Sequence, residues 1–167
     1  MAIYATIEET YRFRRVTFYS VKIENEAYSE VEKFILRFRE DAVHGEELQN
    51  ILALLKIMGN EKGALSVLFR DEAMAQALPP ERYHAIRQNL VQFIDANLRL
   101  FCLRISSNIV ILFNGGVKES QKTQDSSDLL TKFRVAQRFC KAINDKIKNR
   151  ELKVGDTQLM GDFELII

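Results

Sequence analysis

Histidine and cysteine are scarce in this chain, with two of each, and their scarcity narrows its chemistry. His44 and His84 have no neighbour at ligand spacing, so no catalytic metal is expected. Neither lies beside an evident nucleophile, which argues against a serine–histidine–acid site. Cys102 and Cys140 show no metal-like spacing and occupy apolar positions, so they are expected to be buried, reduced thiols. Gly115-Gly116 stands alone, with no P-loop or dinucleotide-binding glycine pattern around it. Internal repeats and low-complexity tracts are absent. No apolar run approaches the ~20 residues that cross a bilayer, and the opening MAIYATIEETYRF has neither a basic nor an apolar signal region. A cytoplasmic protein without a membrane partner is expected.

What is present fits one globular domain over residues 1–167, with 47% hydrophobic and 28% charged residues. The net charge is only +1, but it is unevenly spread. Residues 98–150 hold eleven Lys or Arg against four acids, and the remainder thirteen against nineteen. Such asymmetry fits a basic face that meets phosphate and, equally, a solvated helix surface.

The stretch from Leu98 to Lys122 organises the rest. Two apolar runs, Leu98–Ile105 and Ile109–Phe113, flank Ser106-Ser107-Asn108, a set of small polar residues that closes a β-hairpin. Beyond it the chain passes through Asn114-Gly115-Gly116 into a polar segment holding Lys118 and Lys122. Upstream, Tyr11–Ile23 alternates as a strand. Val31, Phe34, Ile35 and Phe38 mark a helix over about 27–39, and Leu48, Ile51, Leu52, Leu55 and Met58 mark a second one stopping at Gly59. Ala64–Arg70 reads as a short strand, Met74–Pro80 as irregular, and Glu81–Ala96 as a short helix entered through Pro79-Pro80. Ser127 or Asp128 is expected to cap a helix reaching about Asn149, whose seam of Leu129, Phe133, Ala136, Cys140, Ile143 and Ile147 packs on the sheet or on the first helix. A dimer seam is the lesser alternative. Gly155-Asp156 should turn the tail into a last strand or hairpin. The expected fold class is therefore α+β: a small, mostly antiparallel sheet with a central hairpin over 98–113, packed by an N-terminal helix pair and a long C-terminal helix.

Cations near strand ends remain as the candidate chemistry. Arg70, Arg99, Arg104, Lys118 and Lys122 could hold a phosphate and stabilise added negative charge without a metal. Arg99 and Arg104 differ in parity, so a regular strand sends them to opposite faces. Each arginine could equally be a strand-end charge paired with an acid or lying over the core.

The order of helix pair, short strand ending in Arg, LRLF hairpin (98–101), VKESQKT (117–123) and long helix resembles the RelE superfamily of toxin–antitoxin toxins, in particular its HigB-like, phage-derived branch. The matching motifs cover roughly 25 residues. The resemblance implies a single RelE/HigB-like domain over 1–167, with an insertion near 72–96 and a C-terminal strand extension over 150–167. It also implies a metal-independent, cofactor-free endoribonuclease that cleaves messenger RNA, in many members on the ribosome, and is held in check by a small antitoxin. In that reading Arg99 and Lys118 are catalytic, neutralising phosphate while a ribose 2′-OH attacks it. Arg70, Arg104 and Lys122 bind RNA. The alternative is a domain of the same fold that binds protein or nucleic acid without cutting.

Overall fold

The computed structural model describes residues 1–81, 96–118 and 123–167. Its strands are β1 (Tyr4–Arg12), β2 (Thr17–Ile23), β3 (Arg70–Glu72), β4 (Ala75–Leu78), β5 (Leu98–Arg104), β6 (Ile109–Val117), β7 (Leu152–Val154), β8 (Leu159–Gly161) and β9 (Glu164–Ile166). Its helices are α1 (Glu30–Phe38), α2 (Gly45–Ile57) and α3 (Thr123–Lys148). Seven strands form one sheet in the order β3-β4-β5-β6-β2-β1-β9, while β7 and β8 make a separate hairpin. Within the seven-stranded sheet, all pairings are antiparallel except β2 with β6.

The mixed fold, the central hairpin and three of the four expected helices are present, but the sheet is not small. It gains strands that periodicity alone does not separate. Tyr11–Ile23 is not one strand: the chain turns at 13–16, where Phe13 N–H donates to the Val16 carbonyl (2.9 Å) and Arg15 N–H to that of Gly59 (2.6 Å). The segment before this turn is β1. Ala64–Arg70 likewise gives a 3-10 turn over Ser66–Leu68, with β3 only starting at Arg70, and part of the stretch read as irregular is β4. The expected helix over 81–96 falls almost wholly outside the described residues.

Burial explains why β5 and β6 read as continuous apolar runs. Leu98, Leu100, Cys102, Val110 and Leu112 face a core built with α1 and α2. Phe101, Leu103, Ile109, Ile111 and Phe113 face a second core that includes Ala136, Phe139, Cys140 and Ile143 of α3. A strand covered on both faces has no polar side to alternate with. The α3 seam thus packs on the sheet, on the face opposite the helix pair. α3 begins before Ser127 and Asp128, the expected caps. α1 starts with a full capping box, in which Ser29 and Glu32 each accept from the other's backbone N–H.

Ser20 joins three elements. Its hydroxyl donates to the Leu112 carbonyl of β6 (2.7 Å) and accepts from the Val31 N–H of α1 (3.2 Å), entirely out of solvent. It fixes the parallel pair where the crossover helix leaves. Ser20→Ala would leave a buried N–H without an acceptor, and the expected loss is ~1–3 kcal/mol of unfolding free energy. Urea denaturation measures this, and a change below about 0.5 kcal/mol would show that the hydroxyl is not a joint.

Candidate phosphate-binding site at the end of the sheet

The register of the central hairpin brings two of the expected cations together. Leu98 pairs with Val117 and Arg99 with Gly116, and the ladder continues as Lys118 N–H donates to the Asn97 carbonyl at 2.7 Å. Alternation puts Arg99, Gly116 and Lys118 on the face that carries α3, with positions 99 and 118 as diagonal neighbours. Two glycines permit this geometry. β6 carries one extra residue between Leu112 and Gly115, opposite Leu100–Cys102, and a Cβ on Gly115 would collide with the Arg99 carbonyl. A Cβ on Gly116 would lie 3.1 Å from Asp128 Oδ2, so α3 lies directly over this end of the strand.

Arg99 is a buried cation, 7% exposed. Its Nη1 donates to the carbonyls of Ala96 (2.7 Å) and Leu98 (3.0 Å), while Nε has no hydrogen-bond partner among the described residues. Burial, followed by repulsion from Arg70, holds its pKa down at about 10, against partial compensation from Glu72, Glu47 and Glu81. Arg70 arrives from β3, next to β4, and anchors through Nε to the Pro79 carbonyl at 2.9 Å. Lys118 is exposed. Among the described residues none of Arg70, Arg99 or Lys118 forms an ion pair. Glu47 of α2, one of the compensating acids, is already engaged: it accepts from the N–H groups of Asn97 (2.6 Å) and Leu98 (3.5 Å) and faces His44 Nδ1 at 2.8 Å.

Arg104 does not join this group. It lies at the other end of β5, on the α2 face, with Nε donating to the Ala64 carbonyl at 2.5 Å. Its separation from Arg99 follows their difference in parity. Lys122 falls outside the described residues. Sequence reasoning missed Arg37, which reaches from α1 to Asp128 of α3 at 2.7 Å and ties the two helical layers together beside Gly116. Nothing in the periodicity of either helix signals this pair.

The open groove beside β1 and β9, about 440 Å³, is a different environment, at the far side of the sheet from β3 and β4. Glu8, Glu24 and Glu164 line it with Lys22 as the one cation, which suits no anion. No described helix is long and apolar enough to cross a membrane. No family model, curated protein or solved structure matches this chain.

Lowering the Arg99 guanidinium to about 10 corresponds to roughly 3 kcal/mol against the folded state. Below pH 10 both states keep the proton and the penalty is complete; it fades only as pH rises above 10 towards the ordinary guanidinium range. The two carbonyl hydrogen bonds offset about 1 kcal/mol each. Arg99→Met is therefore expected to leave stability unchanged or raise it by ~1 kcal/mol in urea unfolding at about pH 7. A decrease above ~2 kcal/mol would make Arg99 a structural residue.

Proposed function

We propose that this chain is an RNA-binding domain that grips a backbone phosphate at the end of β5 and β6, with Arg99 as the fixed charge, Arg70 behind it and Lys118 at the solvent side. The observation that carries the reading is a buried arginine whose Nε has no hydrogen-bond partner, repelled by Arg70, with no carboxylate ion-paired to either among the described residues. Such a group gains most from an anion that supplies the missing charge and an acceptor for Arg99 Nε. RNA is the anion favoured by the resemblance of the LRLF and VKESQKT segments to RelE/HigB-like toxins.

The second reading is the activity of those toxins: metal-independent cleavage of messenger RNA, relieved by a small antitoxin that covers the same end of the sheet. It is favoured by the side-by-side placement of Arg99 and Lys118, the two positions that the resemblance makes catalytic. Arg99 remains a cation at neutral pH even with its pKa lowered to about 10. It would neutralise the phosphate undergoing attack and leave proton transfer to another group.

One assay separates the two. The purified chain is incubated with labelled RNA in the presence of a chelator, and both retention and product ends are followed. The binding reading expects retention that Lys118→Ala and Arg99→Met each weaken by about tenfold, with RNA intact. Fragments ending in a cyclic phosphate, together with growth arrest on expression that the same substitutions relieve, would establish the toxin. The absence of both retention and cutting would refute both readings.

A further inference from the structure

The two faces of the sheet are covered by layers of opposite charge. Residues 26–62, which build α1, α2 and their turns, hold eight acids and five bases, whereas residues 127–150 of α3 and its exit hold two acids and seven bases. Some of the α3 cations are neutralised where they stand. Lys146 is held by Asp162 at 2.5 Å and Glu151 at 3.8 Å, and Lys141 faces Asp145 at 3.1 Å. Arg134, Arg138 and Lys148 are exposed and form no ion pair among the described residues.

These positions lie on one stripe. Steps of four, three and seven residues from Arg134 through Arg138 and Lys141 to Lys148 keep within one side of a helix of ~3.6 residues per turn, opposite the buried Ala136, Phe139, Cys140 and Ile143. At ~1.5 Å per residue the stripe is about 21 Å long. Its near end is about 9 Å along the helix axis from Asp128, the residue against Gly116, which is the cross-strand partner of Arg99. The exposed residues between Arg134 and Lys148 are Arg134, Arg138, Lys141, Asn144, Asp145 and Lys148, without one apolar side chain. A protein partner needs a desolvated apolar centre. A charge-rich, apolar-free ridge fits a phosphate backbone instead.

We infer that the outer face of α3 is a second phosphate-binding surface, along which a strand of RNA held at the end of β5 and β6 continues. This rests on the RNA-binding reading above and extends it to a surface outside the sheet-end site. Arg134 and Arg138 are the principal groups, as guanidiniums that form no ion pair among the described residues, with Lys148 farther along the stripe. Interactions of this kind carry charge and no base readout, so they act on every sequence alike.

The test is the salt dependence of binding by the full chain to a labelled oligouridylate of about 20 nucleotides, a length that exceeds the ~4–16 nucleotides of a compact single-strand site, read by fluorescence anisotropy. Each phosphate of a single strand that is no longer neutralised reduces the steepness of log K against log salt by about 0.7. R134Q/R138Q is expected to flatten the slope by about 1.4 and to weaken binding by about tenfold or more at ~0.1 M salt, while K153Q on β7 leaves both at the wild-type values. The two arginines are exposed, and an unchanged circular dichroism spectrum establishes that the double variant is folded. A wild-type slope in R134Q/R138Q overturns the role of α3 and leaves the sheet-end site standing. Absence of any binding by the wild-type chain at low salt removes the RNA reading and this inference with it.

Discussion

The double-sided burial of β5 and β6 is the constraint from which the rest of the fold follows. Once Leu98, Leu100 and Cys102 face one way and Phe101 and Leu103 the other, the hairpin needs a helical layer on each side. α1 and α2 supply one and α3 the second. The crossover from β2 through α1 and α2 then returns to the sheet, leaving β2 and β6 parallel, and Ser20 anchors both the strand pair and the helix that departs from it. By contrast β1 with β2, β3 with β4 and β5 with β6 follow one another through short turns, and each pair is antiparallel.

The same burial explains why a cation at position 99 is unusual. Between the buried Leu98 and Leu100, β5 carries a guanidinium into the protein at the point where the sheet stops and α3 begins to cover it. Carbonyls of Ala96 and Leu98 receive one arm, and the rest keeps a lowered pKa and a nearby like charge. Residues that cost stability in this manner are characteristic of sites, since function is where such a cost is offset.

Side-chain order is informative where packing follows local period. The β5–β6 hairpin, its turn at Ser106-Ser107-Asn108, the stripes of α1 and α2 and the long α3 seam are all legible in it. β1 is not, because the tight turn at 13–16 depends on a hydrogen bond to Gly59, far along the chain. The extent of the sheet is likewise hidden: β3 and β4 have only three and four residues, too few for a period to register, whereas a strand in the tail is expected and β9 is there. Of the candidate site, parity rightly keeps Arg104 from Arg99, and the hairpin register joins Arg99 to Lys118. The proximity of Arg70 depends on β3 and β4 folding back beside β5, which no local pattern encodes.

The two thiols, finally, sit in different layers. Cys102 belongs to the core under α1 and α2 and Cys140 to the one under α3, each fully buried, with the sheet between them and with burial raising both pKa values, Cys140 to about 12. Neither can react while its own layer is in place. The molecule thus contains a natural label for each side of the sheet: the order in which an alkylating reagent reaches positions 102 and 140 reports which helical layer detaches first, and simultaneous reaction reports that the two open as one cooperative unit.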